Sequence, residues 1–162
     1  MPTFNYQFTV DAPQSTVAAF HYDANVKTLT PLPIIAQLHY HEPVADGSRS
    51  NFTLWFGPWP LHWKVVHSNV DQNGFTDTQI RGPLKRWRHN HRFIAQSDGT
   101  TRVSEHIEYD YRAGLAGLLS RLIFSGPALT MLFTMRKMIT RRLVRDYLPA
   151  HDTTAAGQSA NG

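Results

Sequence analysis

Between Ile34 and Tyr111 the chain passes through six strand-like segments separated at close spacing by turn-forming pairs, and this punctuation dictates what it can fold into. The segments are Ile34 to His41, Ser50 to Phe56, Leu61 to Val70, Phe75 to Arg81, Leu84 to Gln96 and Arg102 to Tyr111. Asp46-Gly47, Gly57-Pro58, Asn73-Gly74, Gly82-Pro83 and Asp98-Gly99 stand between them. Each pair supplies a positive or a fixed φ where a strand must reverse. The intervals are too short for crossover helices, so the pattern predicts an antiparallel meander and argues against alternating βαβ units.

The flanks complete the plan. Phe4 to Val10 alternates apolar and polar residues, as a half-buried strand does. Asp11-Ala12-Pro13 then offers an N-cap and a first-turn proline for a short helix burying Val17, Phe20 and Ala24, and a second short helical piece reaches the Pro31-Leu32-Pro33 break. After Tyr111 the period changes. Leu132, Met135, Ile139 and Leu143 recur at three and four residues, with Arg136, Lys137, Arg141 and Arg145 mostly on the other side. This predicts a long amphipathic helix running to Leu148, with Ser125-Gly126-Pro127 as its N-terminal boundary or a kink. At about 1.5 Å per residue it is long enough to cross a sheet. Residues 149–162 are small and polar and are expected to form a disordered tail behind one domain, 1–148. With 162 residues, 41% hydrophobic, the chain can bury roughly 70% of its unfolded surface in one core.

Several function classes fall away. Without cysteine there is no disulfide framework, thiolate nucleophile or Cys-ligated metal. A net charge of +4 with no recognition motif does not point to nucleic acid. The start, Met1-Pro2-Thr3-Phe4, lacks the basic and apolar runs of a signal peptide, so a cytoplasmic location is expected. No phosphate loop, dinucleotide fingerprint or Ser-His-Asp order is found, and no cofactor is expected. Oligomeric state is not legible. Ala113 to Met135 is nearly uncharged, but Arg121 and Gly126-Pro127 interrupt it, and a central Arg costs about 2.5 to 3.5 kcal/mol on insertion. Contact with a membrane surface stays open without being favoured, and a span is not expected.

The order strand, two short helices, six strands, long helix predicts an α+β fold. In it a curved antiparallel seven-stranded sheet wraps around the long C-terminal helix and leaves a cavity between them. This order resembles the helix-grip fold of the START and birch-pollen-allergen superfamily, SRPBCC, over residues 4 to 148. The resemblance extends to Trp87-Arg88-His89-Asn90-His91-Arg92-Phe93, Asp98-Gly99-Thr100-Thr101, Val103-Ser104-Glu105-His106-Ile107-Glu108-Tyr109, and Leu132-Phe133 followed by Arg136. These match the W-x-H-x-H-x-F, G-T, V-x-D/E-x-V/I-x-Y and L-F-x-x-R pattern of bacterial ligand-binding members. The resemblance implies either a binder of small hydrophobic molecules or a polyketide cyclase-like enzyme, and it bears on fold more than on reaction.

The hairpin at Asp98-Gly99 decides which side chains share a face. A two-residue loop would place Trp87, His89, His91 and Phe93 beside Ser104, His106, Glu108 and Asp110. A three-residue loop, Ser97-Asp98-Gly99 with a left-handed glycine, pairs Phe93 with Val103, His91 with Glu105, His89 with Ile107 and Trp87 with Tyr109. The second register gives a consistently apolar inner face carrying one carboxylate and is the expected one. His91 and Glu105 are then the candidate acid/base pair, because a carboxylate beside an imidazole favours its charged form. The candidate ligand-binding residues are Trp63, Trp87, His89, His91, Phe93, Glu105, Ile107, Tyr109, Met131, Met135 and Met138. Aromatics suit an aromatic guest and thioethers adapt to several.

His89 and His91, two apart on a strand, could ligate a metal with Glu105, and a further ligand is not placed unless His67 arrives from a neighbouring strand, whose register is not readable. Such a set arises easily by chance on paired strands, so no metal is assigned. His39, His41, His62 and His106 read as half-exposed strand residues. The basic clusters Arg81, Lys85, Arg86, Arg88, Arg92 and Arg136, Lys137, Arg141, Arg142, Arg145 read as solvated faces. The expected function is binding of a small hydrophobic or aromatic molecule. A cyclase or aromatase using His91 and Glu105 is the first alternative, and a membrane-associated module the second.

Overall fold

The computed structural model describes residues 1–156. Its elements are β1 (Thr3–Val10), α1 (Gln14–Asp23), α2 (Val26–Leu29), β2 (Ile35–His41), β3 (Arg49–Phe56), β4 (Trp59–Asp71), β5 (Gly74–Arg81), β6 (Arg86–Ala95), β7 (Thr101–Asp110), α3 (Gly114–Ile123) and α4 (Gly126–Ala156). The strands form one antiparallel sheet in the order β1-β7-β6-β5-β4-β3-β2. Six strands therefore pair as a meander, and β1 closes on β7 from the far end of the sequence. Register shifts between Leu38 and Tyr40, Lys64 and Val65, and Ser68 and Asp71 mark bulges, which add local twist and bend.

The β6–β7 hairpin adopts the three-residue register, with Trp87 opposite Tyr109, His89 opposite Ile107, His91 opposite Glu105 and Phe93 opposite Val103. Gly99 takes φ +83°, the left-handed conformation this loop demands. Gly74 is required for a different reason. Its φ is +145°, and a Cβ there would lie 1.9 Å from the His91 carbonyl oxygen, so β5 meets β6 closely only because position 74 has no side chain.

Helices α1, α2 and α4 cover the inner face. Helix α1 begins at Gln14 after Pro13 with no side-chain cap, so Asp11 is not the N-cap expected of it. Asn25 does cap α2, its side-chain oxygen accepting from Lys27 N at 2.9 Å. The uncharged stretch after Tyr111 contains a helix of its own, α3. Its apolar residues do recur at helical spacing, but the near absence of charge from Ala113 to Met135 reads as one continuous apolar run and hides a separate helix within it. Ser125-Gly126-Pro127 is a true boundary: α3 and α4 are bent by 46° there, and no helix among the described residues is by itself long and apolar enough to cross a membrane. Helix α4 continues past Leu148 to Ala156, so the expected tail begins in helical backbone. Small residues do not forbid a helix, and alanine favours one. The rest of that tail, 157–162, lies outside the described residues.

Two apolar clusters hold the layers together. One joins Phe8, Val10, Val17, Phe20, Phe75, Phe93, Val103 and Val144. The other joins Phe4, Trp63, Val65, Leu84, Trp87, Ile107, Tyr109, Phe124, Leu129 and Phe133. Along β6 the inward positions run from Trp87 in one cluster through His89 and His91 to Phe93 in the other. Along β7 they run from Val103 through Glu105 to Ile107 and Tyr109. The sheet thus carries its buried polar residues between two apolar regions.

Candidate functional site: a cavity with one polar wall

Between the sheet, α2 and α4 lies a cavity of about 410 Å³. Strand parity builds one wall: Phe75 and Asp77 on β5, His89 and His91 on β6, and Trp63, Val65 and His67 on β4 all face inward. Helix α4 supplies the opposite wall with Ala128, Leu132, Phe133 and Arg136, and Pro31 to Ile34 border it from the loop after α2.

The polar wall is a connected set. Glu105 Oε2 lies 2.7 Å from His89 Nε2 and 2.8 Å from His91 Nδ1, the latter an ion-pair contact too bent for a good hydrogen bond. On the other side of His91, Nε2 is 3.3 Å from Asp77 Oδ2. Asp77 Oδ1 accepts from His67 Nδ1 at 2.6 Å. His67 Nε2 meets the Ser50 hydroxyl at 3.1 Å, and Ser50 Oγ meets His41 Nδ1 at 2.8 Å. The imidazoles of His89 and His91 lie 3.9 Å apart between centroids, with Phe75 stacked on His91 and Phe133 edge-on to His89.

Burial sets the charge states. Enclosure alone would strip His91 of its proton, but the Glu105 and Asp77 carboxylates outweigh it and lift His91 to about 9. Burial, reinforced by the cation on His91, pushes His89 down to about 4 despite Glu105, so His89 is neutral and its Nε2–H donates to that carboxylate. Burial would raise both acids. His91 and His89 hold Glu105 well below the usual carboxylate range, and hydrogen bonds from His67 and His91 do the same for Asp77. His21, buried beside Phe93 with Nδ1 donating to the Val17 carbonyl, is lowered to about 4 by desolvation. The wall therefore carries two carboxylates, with the His91 imidazole protonated and the His89 imidazole neutral.

Of the residues expected to bind a ligand, Trp63, Trp87, His89, His91, Met131 and Met135 line the cavity. Glu105 stands behind the two histidines, while Phe93, Ile107 and Tyr109 are spent in the apolar clusters. Met138 is 57% exposed and does not border the cavity; seven residues after Met131, it lies on nearly the same face of α4 but about 10 Å further along the axis. Arg136 corrects the reading of its cluster as a solvated face: it borders the cavity, its guanidinium 5.3 Å from the Phe133 ring centroid, and burial lowers its pKa. Sequence reasoning also missed Asp77 and left His67 unplaced. Asp77 shares parity with Phe75 from the Asn73-Gly74 turn, and that period-two signal would have marked it as inward.

Comparison with known proteins locates the architecture. No family model matches the chain, and neither does any curated protein. Solved structures do. A Chromobacterium violaceum protein superposes with TM-score 0.70 at 12% identity, covering 88% of this chain and 97% of its own. The Zhui aromatase/cyclase from Streptomyces sp. R1128 gives TM-score 0.64 at 12% identity over 88% and 95%. The fold is the helix-grip fold. Norcoclaurine synthase from Thalictrum flavum shares it as well, with TM-score 0.61 at 15% identity, covering 85% of this chain and 86% of its own. At such identities the likeness is one of fold, and the helix-grip layout explains why the sheet and its last helix leave a space between them.

Proposed function

We propose that the protein binds a small, mainly apolar molecule in the cavity between the sheet and α4. The carrying observation is the cavity itself. At about 410 Å³ it lies within the range of about 300–1,000 Å³ usual for ligand sites, and it has apolar walls and a few convergent polar groups. Two donors support a guest that carries an acceptor oxygen. The indole N–H of Trp63 is buried without a protein partner, which is costly unless something else accepts from it. Arg136 brings a guanidinium to the same cavity. Leu32 and Met131, both largely exposed, make the rim apolar where a hydrophobic molecule would enter.

Native mass spectrometry of the purified protein tests this reading directly, with a co-purified small molecule as the expected result. Ala128→Trp, which puts an indole into the space from α4, should abolish that adduct while leaving the circular dichroism spectrum unchanged. Retention of the adduct in a folded Ala128→Trp variant would place the molecule elsewhere.

A second reading, proton transfer in the manner of a cyclase, draws support from one observation: a protonated and a neutral imidazole stand side by side on the cavity wall. In that case His91→Ala keeps affinity for a candidate substrate and loses turnover. Loss of affinity with no turnover in either protein favours a binder.

A further inference from the structure

We propose that Asp77, His89 and His91 form a binding site for a divalent first-row transition-metal ion. One donor atom from each of the three lies within 4.8 Å of the other two. Two imidazoles and a carboxylate are a donor set that selects zinc, iron or cobalt over magnesium and calcium, which prefer oxygen alone.

The surroundings assign the donor atoms. Glu105 Oε2 faces Nε2 of His89 and Nδ1 of His91, so a single carboxylate orients both rings and leaves His89 Nδ1 and His91 Nε2 for the ion. His67 Nδ1 holds Asp77 Oδ1, and Asp77 Oδ2 remains, 3.3 Å from His91 Nε2. Donors bound at about 2.0–2.2 Å from one ion sit about 3 Å apart, so this pair needs no backbone movement. Glu105 and His67 thus occupy the places that carboxylates and other acceptors or donors take behind metal ligands, where they fix tautomer and orientation.

The placement favours an open site over a closed structural one. Asp77, His89 and His91 line the cavity, whereas Glu105 does not, so the unfilled coordination positions face the space where a guest or water would sit. A +2 ion at this place would face the carboxylates of both Asp77 and Glu105, the first as a ligand and the second behind the two rings.

The test uses the full chain and metal alone, so its outcome is independent of the organic ligand. Protein stripped with a chelator is titrated with zinc by calorimetry and with cobalt by absorption spectroscopy. Expected are one equivalent bound and a cobalt ligand-field band of a nitrogen-containing site. The double variant His89→Gln with His91→Gln should lose this binding, and Glu105→Gln should weaken it by about ten- to a hundredfold. Should those variants fail to fold, the wild-type protein still decides, because cobalt must shift the ring protons of His89 and His91 in its NMR spectrum. No binding by the wild type, or binding undiminished in a folded double variant, overturns the proposal. So does cobalt that shifts the rings of His39 or His62 and not those of His89 and His91.

Discussion

Glu105→Gln preserves the size of a buried side chain and removes its charge, and it isolates what holds the polar wall together. In metal-free protein His91 would keep only Asp77 as an anionic neighbour in contact, while burial still opposes its proton. The lift of His91 from 6.5 to about 9 corresponds to about 3 kcal/mol at about 1.36 kcal/mol per unit. Breaking a buried charge pair by removing one member costs about 3–5 kcal/mol. The variant should therefore be about 3 kcal/mol less stable at pH 6, which for a chain of this size lowers Tm by roughly 6–12 °C.

The pH dependence carries the sign. A histidine raised in the folded state stabilises fully below its unfolded value of 6.5, and that contribution disappears as pH rises through about 9. Wild-type protein should weaken between pH 6.5 and 9, and the variant should weaken less over that interval because His91 now titrates lower. Urea denaturation at pH 6 and pH 9, with a chelator present, measures both effects. A loss below about 1 kcal/mol at pH 6, or the same pH dependence in both proteins, would refute the account of Glu105 as the counter-ion that keeps His91 charged.

Other consequences can be checked separately. His21 is lowered to about 4, so its neutral form stabilises the fold above 6.5 and that contribution is lost as pH falls from 6.5 towards 4; replacing it in His21→Met should flatten the acid limb of a Tm-versus-pH curve. Gly74→Ala places a methyl against the His91 carbonyl at a φ that L-residues avoid, and chemical denaturation should show a loss on the order of 2 kcal/mol or more. Met138→Ala, at an exposed position off the cavity, should change stability by under about 0.5 kcal/mol and leave any co-purified adduct in place. An adduct lost in Met138→Ala would show that the cavity's boundary on α4 is misplaced.

Turn chemistry and period were enough to write down the strands, the meander order and the long helix, because Gly, Pro and Asn-Gly signals act locally and an apolar stripe needs no knowledge of its partner. The β6–β7 register was legible for the same reason. A one-residue slip would have put Glu108 and Asp110 on the buried face, so the hydrophobic pattern chose the loop length and placed His91 against Glu105. Asp77, His67 and Arg136 were another matter. Asp77 carried a parity signal from Phe75 that its charge masked, His67 comes to it through a β4–β5 pairing flanked by register shifts that no local pattern announces, and Arg136 reaches the cavity through the rotation at which α4 docks. Met138 and Met131 lie seven residues apart on one helix, yet only Met131 borders the cavity. By itself the sequence determined which segments are strands and which residues share a strand face, since those are properties of the chain with its nearest neighbours. The tertiary structure alone decided that Asp77 and His67 join His89, His91 and Glu105 on one wall with Arg136 across from them, because register shifts set the β4–β5 pairing and the packing of α4 sets the space they face.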